Sequence, residues 1–165
     1  MMLPAIALLT FVTLQRLAEL VHAKRNTRAL LAKGGREVGA EHYPFMVVMH
    51  AAWLVGLWVF GFNQPINPFW FGVFMILQLL RVWVLATLGG RWTTRIIVLP
   101  KAPRIVSGPY RLFSHPNYVI VVGEIAALPL AFGLPLFALV FSILNAAMLT
   151  MRIRAENRAL RDAML

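Results

Sequence analysis

The amino-acid sequence predicts an all-α, multi-pass integral membrane protein with about five transmembrane helices in one domain, residues 1–165. Apolar residue types make up 60% of the chain and its mean hydropathy is +0.74, well above the composition of a soluble domain. Most basic residues, moreover, lie in alternate connections between long apolar runs. Composition and charge placement therefore predict the same class of protein.

Charge placement also predicts the orientation of the chain. Fourteen of the sixteen Lys and Arg residues lie within 24–36, 91–111 and 152–161, whereas connections 63–68 and 133–135 contain none. Cytoplasmic loops of membrane proteins carry such an excess of positive charge. We therefore expect an outside N-terminus and three basic segments on the cytoplasmic face. Because this charge flanks apolar runs, its expected partners are anionic membrane lipids rather than nucleic acid.

The first three apolar runs cover residues 2–21, 43–62 and 69–88. Each has about 20 residues, which as a helix spans a hydrocarbon core of roughly 30 Å. Pro65 and Pro68 separate the second run from the third, and a glycine pair ends the third. The sequence therefore predicts three spanning helices in the first half of the chain.

The last two apolar runs, residues 118–132 and 135–151, are joined only by Gly133 and Leu134. Such a short connection predicts a tight helical hairpin. The first helix of this hairpin, at about 22 Å, is short for a full span. The second is expected to continue through 152–160 and to emerge from the membrane.

Between these halves lies a long polar segment, residues 91–117, with four prolines that prevent it from forming one regular helix. Loops of this length are normally functional or disordered. Apolar stretches such as 96–99 favour order. We therefore expect a cytoplasmic cap over the helix ends, and a site beneath it.

The densest polar groups lie at the two mouths of the hairpin, residues 107–118 and 152–157, which the hairpin brings together. Arg152 and Glu156 share one helix face because they are four residues apart. His115 stands where the fourth helix begins, among free backbone N–H groups and the positive dipole end. This convergence suits a charged cofactor and an amphipathic substrate.

Each of these residues also has a structural alternative. His115 and Pro116 are compatible with a simple helix start. Arg152 and Glu156 are compatible with a surface ion pair worth a few tenths of a kcal/mol. Tyr110 and Tyr118 are compatible with an interfacial aromatic belt. The joint order and spacing of the two blocks favours a functional site.

The two blocks resemble the isoprenylcysteine carboxyl methyltransferase family of integral membrane enzymes. The shared pattern is Gly-x-Tyr-x(4)-His-Pro-x-Tyr, a short helical hairpin and then Arg-x(3)-Glu, and the best-matched core covers residues 70–161. The resemblance implies methyl transfer from S-adenosyl-L-methionine to a membrane-embedded acceptor. It implies Arg152 as the catalytic residue at the substrate, no metal, and cofactor contacts from Arg104, Ile105, Tyr110, His115, Pro116, Asn117, Tyr118 and Glu156.

Two residues depart from the eukaryotic pattern, namely Ser114 before His115 and Asn157 after Glu156. The block from His115 to Tyr118, with Glu124 in the fourth run, resembles a bacterial branch that O-methylates lipids such as alkylpyrones and alkylresorcinols. The implied partner is then a lipidic small molecule, with an isoprenylcysteine-like compound less well matched, in a bacterial cytoplasmic membrane. Arg152 would hold an ionised acceptor oxygen. The sequence does not define the oligomeric state.

Other polar residues lie within the apolar runs. Glu124 is either a substrate residue or a buried hydrogen-bonded carboxyl. Arg81 either extends to the interface or pairs with Glu124, and Arg16 is expected to pair with Glu19. His50 and Asn145 are isolated in the sequence and are interpreted as structural.

Two other classes of function remain as alternatives. Some sterol reductases share a terminal helical architecture of this kind and use NADPH. This chain lacks a recognisable clamp for the NADPH 2′-phosphate and is shorter than the usual sterol reductase bundle. A non-catalytic protein that binds lipid or a partner is the second alternative, and it leaves the joint occurrence of the two polar blocks unexplained.

Overall fold

The computed structural model describes residues 2–100, 102–103 and 105–162. These residues form five α-helices and two short strands: α1 (Met2–Ala32), β1 (Arg36–Val38), α2 (Tyr43–Gly61), α3 (Pro68–Leu88), β2 (Ile96–Val98), α4 (Pro116–Ala131) and α5 (Pro135–Asp162). Short 3₁₀ helices lie at Ala40–His42, Gly89–Arg91 and Gly108–Arg111. The predicted all-α, multi-pass architecture is confirmed.

The starts of the later helices follow from local chemistry. Helices α2 to α5 all begin at or next to a proline, which is pre-organised for the first helical turn and loses no needed donor there. Asn67 caps α3, since its side-chain oxygen accepts from the N–H groups of Phe69 and Trp70 at 3.0 and 3.2 Å. Gly133 takes a positive φ of 68° between α4 and α5. The predicted helical hairpin is therefore confirmed.

Four of the described helices, α1, α2, α3 and α5, are long and apolar enough to cross a membrane. Helix α4 has 16 residues and is about 24 Å long, and it packs between α3 and α5. Many large apolar side chains on the long helices are exposed, for example Leu79 and Leu136. Water does not favour such surfaces, whereas lipid tails do, so the chain is a membrane protein.

Close helix contacts form the inside of the bundle. The main core includes Leu9 of α1, Trp53 of α2, Phe74 of α3 and Leu128 of α4, all at most 3% exposed. A side-chain carbon added at Gly56 of α2 would lie 2.5 Å from the Phe137 ring of α5. The α2–α5 contact therefore depends on the absence of a side chain at Gly56.

Helix α1 extends beyond its apolar run. The basic stretch from residue 24 was expected to be a polar connection, but the helix continues to Ala32. Asn26 explains the extension, because its side-chain amide donates to the carbonyl oxygens of Gly89 and Trp92 at 3.1 and 2.8 Å. These bonds attach the end of α1 to the chain that follows α3.

The segment between α3 and α4 is an ordered cap, as expected. Strand β2 pairs antiparallel with β1, with Arg36 opposite Val98. Arg95 forms an ion pair with Glu37 at 2.5 Å and lies 4.1 Å from the centre of the Tyr43 ring. The cap is thus joined to the residues that precede α2, through a strand pair that the sequence analysis did not predict.

Candidate functional site

The centre of the site is a contact between the start of α4 and the last turns of α5. The Tyr118 hydroxyl donates to Oε2 of Glu156 at 2.8 Å. His115 Nδ1 lies 3.8 Å from the same oxygen, and the His115 and Tyr118 rings stack with centroids 5.4 Å apart. The structure therefore brings together three of the predicted cofactor residues.

This contact leaves part of the Glu156 carboxylate available. Among the described residues only Oε2 is engaged, by Tyr118 and His115, and the Glu156 side chain is 27% exposed. Oε1 can accept from an ammonium group or a hydroxyl, and the bond from Tyr118 fixes its orientation. The group is suited to binding a polar, cationic ligand.

Tyr110 contributes to the same surroundings from the cap. It lies in the 3₁₀ helix Gly108–Arg111 and is half-buried. Burial of the ring, together with the negative charge of Glu156, raises the pKa of Tyr110 to about 12. The phenol is therefore protonated near neutral pH and acts as a hydrogen-bond donor. Its position depends on Gly108, where a side-chain carbon would lie 2.6 Å from Thr87 Oγ1 and φ is 56°.

Arg152 lies one turn before Glu156 on α5 and is 5% exposed. Its Nη2 donates to the carbonyl oxygen of Thr94 in the cap at 2.8 Å, and its Nε is buried without a partner in the described part of the chain. The ion pair between Arg152 and Glu156, one structural alternative, does not form within the described residues. The cation is instead held beneath the cap, and no carboxylate of the described residues lies within ion-pair distance of it.

The other predicted cofactor residues lie around this centre. Pro116 is buried at the first turn of α4. Asn117 faces the cap, where its Oδ1 accepts from Trp92 Nε1 at 3.5 Å. Ile105 is half-buried in the cap, and no polar contact ties it to Glu156. Arg104 lies outside the described residues. The structure thus places His115, Tyr118 and Glu156 in direct contact. It shows no direct contact of the other predicted cofactor residues with this group among the described residues.

Glu124 belongs to a separate, buried charge cluster. It is 2% exposed, forms a two-bond contact with Arg81 and accepts from Arg16 at 2.8 Å. Gln78 donates to its Oε1 at 2.7 Å. Arg16 and Arg81 both also reach Glu19, at 2.8 and 3.2 Å. The expected Arg16–Glu19 and Arg81–Glu124 contacts are present. Both carboxylate oxygens of Glu124 accept hydrogen bonds within the cluster. The role of Glu124 as a substrate residue stays a prediction.

Sequence reasoning missed two cap residues that shape the site. Thr94 holds Arg152 through its backbone carbonyl, and the Thr94 hydroxyl lies 3.2 Å from the Tyr43 hydroxyl. Trp92, 3% exposed, stacks on His22 of α1 at 6.0 Å. A backbone contact leaves no trace in residue type, so nothing in the sequence points to Thr94. A tryptophan in a polar loop, by contrast, indicates a buried anchor, so Trp92 could have been predicted from the sequence.

Two comparisons with known proteins find matches to this chain. The model of the isoprenylcysteine carboxyl methyltransferase (ICMT) family matches residues 70–162, which include the cap, the hairpin and the whole candidate site. The uncharacterized protein YpbQ of Bacillus subtilis (strain 168) is 35% identical over 160 residues, covering 94% of this chain and 95% of that protein. No solved structure matches the chain.

The match over more than half of the chain defines its class. The protein belongs to the isoprenylcysteine carboxyl methyltransferase family and is a membrane methyltransferase. Methyltransferases of this family use S-adenosylmethionine in general.

Proposed function

We propose that the protein transfers a methyl group from S-adenosyl-L-methionine to an oxygen of a membrane-embedded lipidic acceptor, with Arg152 as the catalytic residue. The observation that carries this proposal is the placement of two unlike groups one turn apart on α5. Among the described residues, Glu156 is a partly exposed carboxylate with one oxygen unpaired, whereas Arg152 is a buried cation whose Nε has no partner. Such a pair suits a polar methyl donor bound at Glu156 and an anionic acceptor oxygen bound at Arg152.

The residues around Glu156 fit the methyl donor. S-adenosyl-L-methionine carries an ammonium group, ribose hydroxyls and a sulfonium cation, and when bound it supplies an electrophilic methyl group. The carboxylate of Glu156 and the aromatic rings of Tyr110 and Tyr118 suit these groups through hydrogen bonds and cation–π attraction. In this proposal Arg104, Ile105 of the cap, and His115, Pro116 and Asn117 at the start of α4 complete the donor site.

Arg152 fits the acceptor. A buried, unpaired cation costs free energy that a bound anion offsets, and among the described residues the Arg152 guanidinium donates to the Thr94 carbonyl and has no carboxylate within ion-pair distance. A charge-assisted hydrogen bond from Arg152 would hold an enolate, phenolate or carboxylate oxygen. Fixing that oxygen at a near-attack distance from the methyl group supplies most of the rate gain in a displacement of this kind.

The lipid-facing surroundings of α5 support a lipidic acceptor. Helix α5 presents exposed apolar residues before Arg152, from Leu144 to Met151 next to it, so a long hydrocarbon chain can remain in lipid while its polar end reaches Arg152. Alkylpyrones and alkylresorcinols have this form, and an isoprenylcysteine-like compound shares it. We propose that the capped end of the bundle faces the cytoplasm, where the soluble donor is available.

Ligand binding tests the proposal against the reductase alternative. Titration calorimetry of the purified protein in detergent should show binding of S-adenosylhomocysteine, the demethylated product, and none of NADPH. The expectation rests on the Tyr118–Glu156 contact, which suits an amino-acid and ribose ligand. Binding of NADPH with no heat from S-adenosylhomocysteine would contradict it.

A further inference from the structure

Tyr43, the first residue of α2, contacts the part of the cap that holds Arg152. Its hydroxyl lies 3.2 Å from the hydroxyl of Thr94, and the centre of its ring lies 4.1 Å from the Arg95 guanidinium. One side chain therefore binds two neighbouring cap residues, Thr94 by a hydrogen bond and Arg95 by cation–π attraction. The family match begins at residue 70, so Tyr43 lies in a part of the chain that this match does not cover.

Thr94 itself lies in a bend that precedes β2. The Thr93 hydroxyl donates to the carbonyl oxygen of Arg95 at 2.5 Å and closes this bend. Among the described residues, no backbone–backbone hydrogen bond involves Thr94. The orientation of its peptide group is therefore not set by the β1–β2 ladder, and the contact with the Tyr43 hydroxyl is the hydrogen bond that its side chain makes.

The Thr94 carbonyl oxygen then acts on Arg152, because it accepts from Nη2 at 2.8 Å. A guanidinium has several N–H donors, so this bond restricts its rotation and leaves other donors for a ligand. A free arginine side chain samples many rotamers. A bond that orders the guanidinium before the acceptor arrives lowers the entropy cost of reaching the reactive arrangement.

The segment before α2 defines the position of Tyr43 relative to both the cap and α5. Glu37 of β1 forms an ion pair with Arg95 at 2.5 Å, so Arg95 is held between that carboxylate and the Tyr43 ring. A side-chain carbon at Gly39 would lie 3.7 Å from Cβ of Ala155. The segment thus touches the cap and the turn of α5 that carries the candidate site.

We propose that Tyr43 is a positioning residue for methyl transfer. Its hydroxyl orients the Thr94 peptide group, and the Thr94 carbonyl oxygen holds the Arg152 guanidinium in the arrangement that receives the acceptor oxygen. This inference rests on the proposed function, because it takes Arg152 as the group that binds the acceptor. It extends the catalytic machinery to a helix outside the family match, and it gives Tyr43 no contact with either substrate.

Kinetics of Tyr43→Phe test the proposal, because this substitution removes the hydroxyl and keeps the ring beside Arg95. Turnover is measured with S-adenosyl-L-methionine and whichever of three acceptors the wild-type protein methylates fastest: pentadecylresorcinol, a pentadecyl-substituted pyrone or N-acetylfarnesylcysteine. The kcat should fall at least about tenfold, because a misplacement of about 1 Å can cost roughly a hundredfold in rate. Affinity for S-adenosylhomocysteine, measured by calorimetry, should change by less than about twofold.

Matched variants separate positioning from the loss of a hydroxyl in general. Thr94→Val should lower kcat by a similar factor, whereas Thr94→Ser keeps the hydroxyl and should retain kcat. Thr150→Val removes the same hydroxyl from an exposed position of α5 and should leave kcat unchanged. Tyr118→Phe removes the hydroxyl that binds Glu156 and should weaken S-adenosylhomocysteine binding. Equal weakening in Tyr43→Phe would overturn the inference, because Tyr43 would then act on the donor site.

A double-mutant cycle tests the link between the two hydroxyls. If Tyr43 acts through Thr94, the kcat of the double variant Tyr43→Phe with Thr94→Val should equal that of the slower single variant. Residues that act through one shared bond show such non-additive effects, whereas independent sites add. Losses of kcat that multiply in the double variant would overturn the inference.

The same measurements keep this inference apart from the proposed function. Turnover by the wild-type protein with an unchanged kcat in Tyr43→Phe would leave the methyltransferase proposal intact and overturn the role of Tyr43. Absence of S-adenosylhomocysteine binding together with absence of turnover on all three acceptors would reject the proposed function, and with it the inference.

Discussion

At the scale of single residues, Arg152 and Glu156 occupy opposite environments although they share a helix face. The sequence could not separate a surface ion pair from two distinct roles. The structure holds Arg152 under the Thr94 carbonyl and Glu156 against Tyr118. The contact of Arg152 with a backbone oxygen of the cap replaces the ion pair with Glu156 among the described residues, and no spacing rule reveals that contact. The identities of the central residues were predictable from the sequence, whereas their partners were not.

Substitution of these two residues should divide donor binding from catalysis. Glu156→Gln should weaken S-adenosylhomocysteine binding about ten- to hundredfold, because a charge-assisted hydrogen bond of roughly 1.5–3 kcal/mol is lost. Arg152→Ala should leave that affinity largely unchanged and abolish turnover. Calorimetry and a methyl-transfer assay on the same preparations measure both. Equal losses of affinity in the two variants, or no loss in either, would contradict the division of roles.

At the scale of elements, most helix boundaries were predictable because prolines and glycines mark them. Helices α2 to α5 begin within about two residues of the predicted positions. Helix α1 was the exception. Hydropathy predicts a helix end where the apolar run stops, but the hydrogen bonds of Asn26 with Gly89 and Trp92 stabilise the helix beyond that point. Strands β1 and β2 have three residues each, too few for an alternating pattern to be visible.

The α2–α5 contact gives a prediction with a matched control. Gly56→Ala should lower the Tm by an amount corresponding to about 1–3 kcal/mol, because the new carbon would overlap the Phe137 ring. Gly72→Ala in α3 adds the same carbon where nothing lies within 4 Å, so its Tm should be unchanged or higher. Thermal unfolding in one detergent compares the two variants. A Gly56→Ala variant as stable as Gly72→Ala would show that the helices approach less closely than described.

At the scale of the whole molecule, the topology can be tested directly because the chain contains no cysteine. Asn63 and Lys33 are both exposed and lie at opposite ends of α2. With the basic segments inside, a cysteine at Lys33 should react only with reagent on the cytoplasmic side, and a cysteine at Asn63 only from outside. Labelling in intact cells and in inverted vesicles measures from which side each cysteine is accessible. The reverse pattern would invert the topology and place the donor site on the wrong face.

The buried charge cluster has a consequence for biosynthesis. Arg16 and Glu19 arrive with α1 and Arg81 with α3, whereas Glu124 arrives only with α4, the shortest of the five described helices. Synthesis proceeds from the N-terminus, so the nascent chain carries an excess arginine in the bilayer until α4 emerges. An arginine at the centre of a spanning helix raises the insertion free energy by about 2.5–3.5 kcal/mol, and by less towards the helix end. We expect arrival of the terminal hairpin to neutralise it, so that the segment completing the candidate site also stabilises the earlier helices in the membrane.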